Sequence, residues 1–224
     1  MGMFMLPELT LASLKSSVQS FVDELKSKSF PELYGATDGK TLGTFIEEQF
    51  RDYLTKNYSF TRGKVASGID LPSLAVDIKA TFLSQPQSSC PYRDATQKVY
   101  GLGYSLLIFV YEKIDHSASR SAQFNVKYTI FVEKERTGDW QTTFGLVGIL
   151  NREGNKDDII AFLIERNLPL EEIGLENLAN RILQEPPKVG YLTISNALQW
   201  RLNYGRAISA ALANAVEGVE SLYV

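Results

Sequence analysis

Apolar positions in the first sixty residues recur at helical spacing. Leu11, Leu14, Val18, Phe21, Val22 and Leu25 predict an amphipathic helix within 9–33. Leu42, Phe45, Ile46, Phe50, Tyr53 and Leu54 predict a second one from Thr41 to Asn57, opened by the turn Asp38-Gly39-Lys40. The period then drops to two. Val76, Ile78 and Ala80 fall on one face of a strand, while Asp77, Lys79 and Thr81 fall on the other. Leu106 to Val110 is an unbroken apolar run, as in a strand buried on both faces. Val126, Tyr128, Ile130 and Val132 alternate cleanly, so 125–133 reads as a half-buried strand. Further helices are expected at 92–103, with Gly101 and Gly103 as stops, at 157–166 and at 175–184. The last helix is expected to run from a Ser195 cap to about Val219, burying Leu198, Leu202, Ile208, Leu212 and Val216 and bending at Gly205.

These elements predict an α/β fold: a mixed sheet flanked by helices, with an α-helical C-terminal extension. Gln184 to Gly190, with its Pro186-Pro187 pair, is the best boundary in the chain. It separates an expected domain at 1–185, whose core covers about 41–134, from the extension at 186–224.

Composition narrows the chemistry. The chain has 224 residues, 44% hydrophobic and 22% charged, which is ordinary for a globular protein. One cysteine, Cys90, excludes an internal disulfide framework and a cysteine-rich zinc site. One histidine, His116, in a polar stretch, argues against histidine-based metal clusters and Ser-His-Asp or Cys-His catalysis. No apolar run approaches the ~20 residues that span a bilayer, and the start lacks a basic, then apolar leader. A cytoplasmic protein with no membrane role is expected. The formal charge of −3 requires any nucleic-acid contact to come from a local basic surface.

The chemistry concentrates in Ser67 to Thr81. Asp70 precedes Pro72-Ser73, a turn signal, and the strand that follows carries Asp77 and Lys79. A short hairpin here brings the Asp70 carboxylate back beside Asp77. Two converging carboxylates repel unless a cation lies between them, and Mg²⁺ is typically held by one or two carboxylates with water and phosphate completing its shell. A lysine alongside can orient a metal-bound water or offset phosphate charge. A surface hairpin with an ordinary ion pair would share this spacing.

Asp70, Asp77 and Lys79 resemble the signature of the PD-(D/E)xK nuclease superfamily, to which most type II restriction endonucleases belong. Ile69 stands where proline often precedes the first acid, and the two acids are only 7 positions apart. That short hairpin is similar to MutH-type mismatch-repair nicking enzymes. Gly43-Thr44-Phe45-Ile46-Glu47 matches a helical Gly-x-x-x-Glu phrase of the superfamily, which makes Glu47 the auxiliary acid and Glu48 the reserve. The resemblance spans about Thr41 to Lys134 and implies a restriction endonuclease-like core. It implies Asp70, Asp77 and the Ile78 carbonyl as Mg²⁺ ligands, and Lys79 positioning the attacking water. The implied activity is sequence-specific double-strand cleavage of DNA by a two-fold homodimer. The alternatives are a monomeric nicking enzyme and a non-catalytic DNA-binding module on the same fold.

Residues for reading or gripping double-stranded DNA are less defined. Gln85, Gln87 and Ser88 lie in a polar stretch after the hairpin, and Arg93 is an outward cation on the expected next helix. Asn196, Gln199, Asn203 and Arg206 would form one polar stripe on the expected last helix. Amides and guanidinium groups are the side chains that read base edges in the major groove. The same stretches would also suit a plain polar loop and a solvated helix face.

Overall fold

A computed structural model describes residues 6–63, 68–90, 93–195 and 200–224. Two compact units partition the chain, and neither is a single run of sequence. The first comprises Met1–Pro86, Leu106–Phe131 and Glu220–Val224; the second, Gln87–Ser105 and Val132–Val219. The boundary expected at 185 falls inside the second unit.

In the first unit, α1 (Leu11–Ser27) starts at a Thr10–Ser13 capping box, and α2 (Gly39–Asn57) starts at Asp38, whose carboxylate accepts from the Thr41 amide. Each buries most of the stripe expected of it, Leu14, Val18, Phe21, Val22 and Leu25 on α1 and Leu42, Ile46, Phe50 and Leu54 on α2, while Leu11 is exposed and Phe45 and Tyr53 are half-buried. Together they cover a four-stranded sheet ordered β1-β3-β4-β7, made of Val76–Phe82, Ser105–His116, Ser121–Val132 and Val219–Tyr223. The seam is aromatic. Phe21 meets Phe50 at 4.8 Å between ring centroids and Phe109 of β3 at 5.4 Å. Pairs of this kind contribute about 0.5–1.5 kcal/mol each beyond their buried area. Leu106 to Tyr111 is fully buried, as the apolar run predicted. β3 and β4 form a hairpin through Ser117–Arg120, with Arg120 at φ 47. Lys15 pairs with Glu220 at 2.8 Å, tying α1 to the distant last strand.

The second unit packs α4 (Trp140–Leu150), α5 (Lys156–Glu165) and α6 (Glu172–Gln184) around Leu146, Ile159, Leu163, Leu175 and Ile182. It also holds a three-stranded antiparallel sheet, β2-β6-β5, formed by Gln87–Cys90, Trp200–Asn203 and Thr193–Ile194. The buried Asp139 joins these parts: one carboxylate oxygen caps Thr142 and the other accepts from the Ile194 amide, both at 2.9 Å.

Three expectations are corrected here. The long C-terminal helix does not form among the described residues; 200–203 is a strand, and of those residues only Gly205–Leu212 (α7) is helical. Leu202, Ile208 and Leu212 do fall at helical spacing, but Arg201 to Tyr204 also alternates. Pairing on both sides with β2 and β5 satisfies the backbone there, and Asn203 Oδ1 then accepts from the Gly205 amide to start α7. The helix expected at 92–103 shrinks to α3 (Gln97–Tyr100), because the Asp94 carboxylate turns the chain at Thr96 and Gly101 sits at φ 84. The polar stretch after the hairpin is strand from Gln87 onward. Helix α4 and strand β7 had no counterpart in the expected elements. No helix among the described residues is long and apolar enough to cross a membrane.

Candidate active site

The hairpin forms as the turn signal requires. Leu71 and Val76 exchange both backbone hydrogen bonds, and Pro72–Leu74 closes the loop as a 3₁₀ turn ending in Ala75 at φ 50. With one extra position on either arm the acids would face apart. With this register, Asp70 stands within hydrogen-bonding reach of Asp77. Gly63 closes the arm from the other side, its amide donating to the Asp70 carbonyl at 2.9 Å.

β1 is an edge strand, so alternate backbone amides on its outer side lack a ladder partner. The Ile78 amide donates to Asp70 Oδ2 at 2.9 Å, and the Ala80 amide donates to Glu47 Oε1 at 3.0 Å. Two acids from different elements are thereby fixed along one edge. Glu47 reaches it because Gly43, one helical turn earlier, lets α2 settle onto the Ala80 carbonyl. Glu48, the reserve choice, is exposed and pairs instead with Arg51 at 2.5 Å.

Asp77 is almost fully buried and its carboxylate meets the Lys79 ammonium at 2.6 Å. Burial, with neighbouring Asp70 adding to it, raises the Asp77 carboxyl to about 7 against the pull of Lys79. Burial also raises Glu47, with Lys79 and the Ala80 amide opposing. Such a cluster holds its negative charge at a cost, and added positive charge relieves it.

The sequence reading missed Arg51. It follows Glu47 by one turn on the same helix face, and its guanidinium grips Asp70 Oδ1 as well as Glu48. An i, i+4 glutamate–arginine pair on α2 was the available signal. Beneath the site, the Tyr111 hydroxyl is buried without a hydrogen-bond partner among the described residues; burial and the nearby Glu47 charge raise its pKa.

Among the described residues no three His, Cys, Asp or Glu side chains cluster as a ready metal-ligand set. The donors present are hard carboxylate oxygens, Asp70 and Asp77, in mutual repulsion. That set suits a hard divalent ion that keeps much of its water, and it does not suit zinc.

The described residues among those suggested for DNA contact lie on several different elements. Gln85 is exposed in the turn after β1, its carbonyl held by the Thr81 hydroxyl at 3.2 Å. Gln87 and Ser88 lie on β2, where Ser88 bonds the Tyr204 hydroxyl. Arg93 precedes α3 with its amide on Gln97, and its guanidinium lies 6.0 Å from the centre of the Tyr104 ring. Asn196 and Gln199 lie outside the described residues. Asn203 is on β6, and Arg206, on α7, stacks on the Trp140 ring at 3.7 Å. Of the two that are described, Asn203 is on a strand and Arg206 on a helix, so they do not share the single helical stripe expected of the four.

Comparison with known proteins agrees with a nuclease. The family described as type II restriction enzyme NspV matches residues 8–221. The chain belongs to this family. It is 55% identical over 203 residues to the type II restriction enzyme NspV of Nostoc sp., an alignment covering 91% of this chain and 92% of the relative. No solved structure matches the chain. Membership in the NspV family extends across both units, so the second unit is part of the enzyme and not an appendage.

Proposed function

We propose that the hairpin of Asp70, Asp77 and Lys79, with Glu47, is where this type II restriction enzyme hydrolyses the phosphodiester bonds of duplex DNA. The observation that carries the reading is the convergence of two carboxylates on one edge strand beside a lysine. Mg²⁺ held by Asp70, Asp77 and the Ile78 backbone carbonyl would supply charge to stabilise the departing 3′ oxygen.

The chain's own groups divide the remaining work. Lys79 orients the attacking water in line with phosphorus and offsets the charge that builds on the phosphoryl oxygens. Asp77 holds the Lys79 ammonium in place through their 2.6 Å contact. Glu47 anchors β1 through the Ala80 amide and adds negative charge that favours a bound cation. The fold we assign is the PD-(D/E)xK nuclease core, for which the α2 glutamate and the edge-strand acids are the supporting features. Cleavage of both strands at a palindromic site calls for a two-fold homodimer, one subunit per strand, acting in the cytoplasm.

The test is incubation of unmethylated phage DNA with the wild-type protein and Lys79→Ala, in Mg²⁺ and in EDTA. Discrete fragments that require Mg²⁺ and disappear with Lys79→Ala are expected. Equal cutting by wild type and variant would remove the hairpin from the chemistry, and nicked circles alone would replace the restriction reading with a nicking one.

A further inference from the structure

The two faces of the β2-β6-β5 sheet differ in kind. Ser88, Leu202 and Ile194 stand opposite one another across the three strands, and Cys90 lies on the same face. Leu202, Ile194 and Cys90 are 0%, 3% and 2% exposed, so this face is core. The other face carries Gln87, Asn203 and Thr193 in one cross-strand row, and Ser89 opposite Arg201 in the next. Ser195 extends that second row: its amide donates to the Arg201 carbonyl at 3.1 Å, and its Oγ accepts from the Arg201 amide at 3.0 Å.

None of these six residues is apolar and none is acidic. Arg201, Ser89 and Thr193 are exposed, and Gln87, Asn203 and Ser195 are half-buried. The Arg201 guanidinium has no ion pair, hydrogen bond or stacking ring among the described residues, whereas Arg51, Arg62, Arg136 and Arg181 are all engaged. An ordinary solvated face mixes both signs of charge. This one offers hydroxyls, amides and a guanidinium that nothing among the described residues engages.

A β-ribbon fits the major groove of B-form DNA. Same-face side chains along a strand stand about 6.6 Å apart, close to two base-pair rises of ~3.4 Å, so alternate residues fall in step with alternate base pairs. We infer that this polar face of the β2-β6-β5 sheet enters the major groove of the target duplex and reads base edges, with Arg201 as the principal reader. The Arg201 fork matches the O6 and N7 acceptors of guanine. Ser89 and Thr193 flank it with hydroxyls, and Gln87 with an amide. Asn203 keeps its oxygen on the Gly205 amide at 3.0 Å and serves chiefly to hold β6 against α7. Ser88, on the inner face, is not a reader. The inference rests on the DNA-cleaving function of the chain.

Cleavage of a duplex library with randomised positions, followed by sequencing of the cut ends, tests it. The wild-type protein, Arg201→Ala, Arg201→Lys and the double variant Ser89→Ala/Thr193→Ala are profiled side by side. Lysine keeps the charge but loses the fork, so it separates base reading from phosphate binding. Both Arg201 variants are expected to relax selection at one base pair and its symmetry mate. The preference there should fall roughly tenfold to a hundredfold, with other positions unchanged. The double variant is expected to relax the adjacent positions by a smaller factor. Profiles that keep the wild-type preferences at every position overturn the inference, whether total cutting is uniformly weakened or unchanged, and so does the loss of all cutting in a folded Arg201→Lys protein. A library left uncut by the wild-type chain would sink the nuclease assignment itself, a result distinct from any pattern among the variants.

Discussion

The Cα of Gly43 lies against the backbone of Ala80 so closely that a Cβ there would stand 2.9 Å from the Ala80 carbonyl oxygen. The same Ala80 donates its amide to Glu47, one turn further along α2. A helix, an edge strand and the proposed auxiliary acid are thus positioned by one missing side chain. Gly43→Ala should lift α2 from β1 and cost about 1–3 kcal/mol, the usual penalty of overpacking. Cleavage should fall further than stability alone explains, since Glu47 moves with the helix. Urea denaturation and cutting rate, measured on the same preparation, check both.

Asp77 makes stability and activity pull in opposite directions. Its carboxyl, ordinarily near 3.8, is raised to about 7, so the folded state favours the neutral form. The stability this brings is complete below about pH 4 and is lost as the pH rises through 7. Asp77→Asn should therefore stabilise the metal-free protein at pH 8, by on the order of 2 kcal/mol, and leave it unchanged at pH 4. The same variant should be inactive. Wild-type cutting should weaken as the pH falls below 7 and Asp77 takes up its proton. Thermal melts in EDTA across pH 4–8.5 would expose the error if the variant gained nothing at alkaline pH.

Arg51 occupies an oxygen of Asp70 that an added cation would also seek. Arg51→Gln should lower the melting temperature in EDTA, since Asp70 then loses the guanidinium that offsets its repulsion from Asp77. The rise in melting temperature on adding Mg²⁺ should grow, because ligand binding stabilises in proportion to affinity. An expected gain of about 1 kcal/mol corresponds to roughly fivefold tighter Mg²⁺ binding by calorimetry. Unchanged or weaker binding would mean that Arg51 helps the site hold its metal.

The Tyr111 hydroxyl is buried with no hydrogen-bond partner among the described residues, at the price of its lost hydration. Tyr111→Phe keeps the ring against Phe82, at 4.8 Å between centroids, and removes the stranded oxygen. It should stabilise the fold by roughly 1–2 kcal/mol. Urea midpoints decide this, and a destabilised variant would point to a bound water on that oxygen.

The first unit was legible because its local signals agree with its tertiary ones. Helical spacing on α1 and α2 marks the faces that pack, and the Asp70–Asp77 hairpin follows from Pro72-Ser73 and a period of two. Glu47 could be singled out by its glycine, whose role proves to be steric. Arg51 escaped notice because a glutamate–arginine pair on a helix is common and usually only solvated. The second unit was misread where two periods coexist. Leu198, Leu202, Ile208, Leu212 and Val216 mimic a helix, while the choice of strand at 200–203 is made by β2, more than a hundred positions earlier. A pattern confined to one window carries no record of such a partner. The short strand β5 left too few residues to alternate.

The placement of β7 beside β4 has a consequence for synthesis. Nearly the whole second unit is translated between these neighbouring strands, from position 132 to 219. At 5–20 residues per second that interval lasts about 4–17 s. Throughout it the outer rim of β4 emerges from the ribosome unpaired, a template for any other extended chain. Glu220 and Tyr223 then arrive to clasp Lys15 and Lys26, made at the start. The nascent chain carries all three acids and the lysine of its proposed cutting site long before the sheet beneath them is closed, so a cell making this enzyme has a short grace period before each copy is armed.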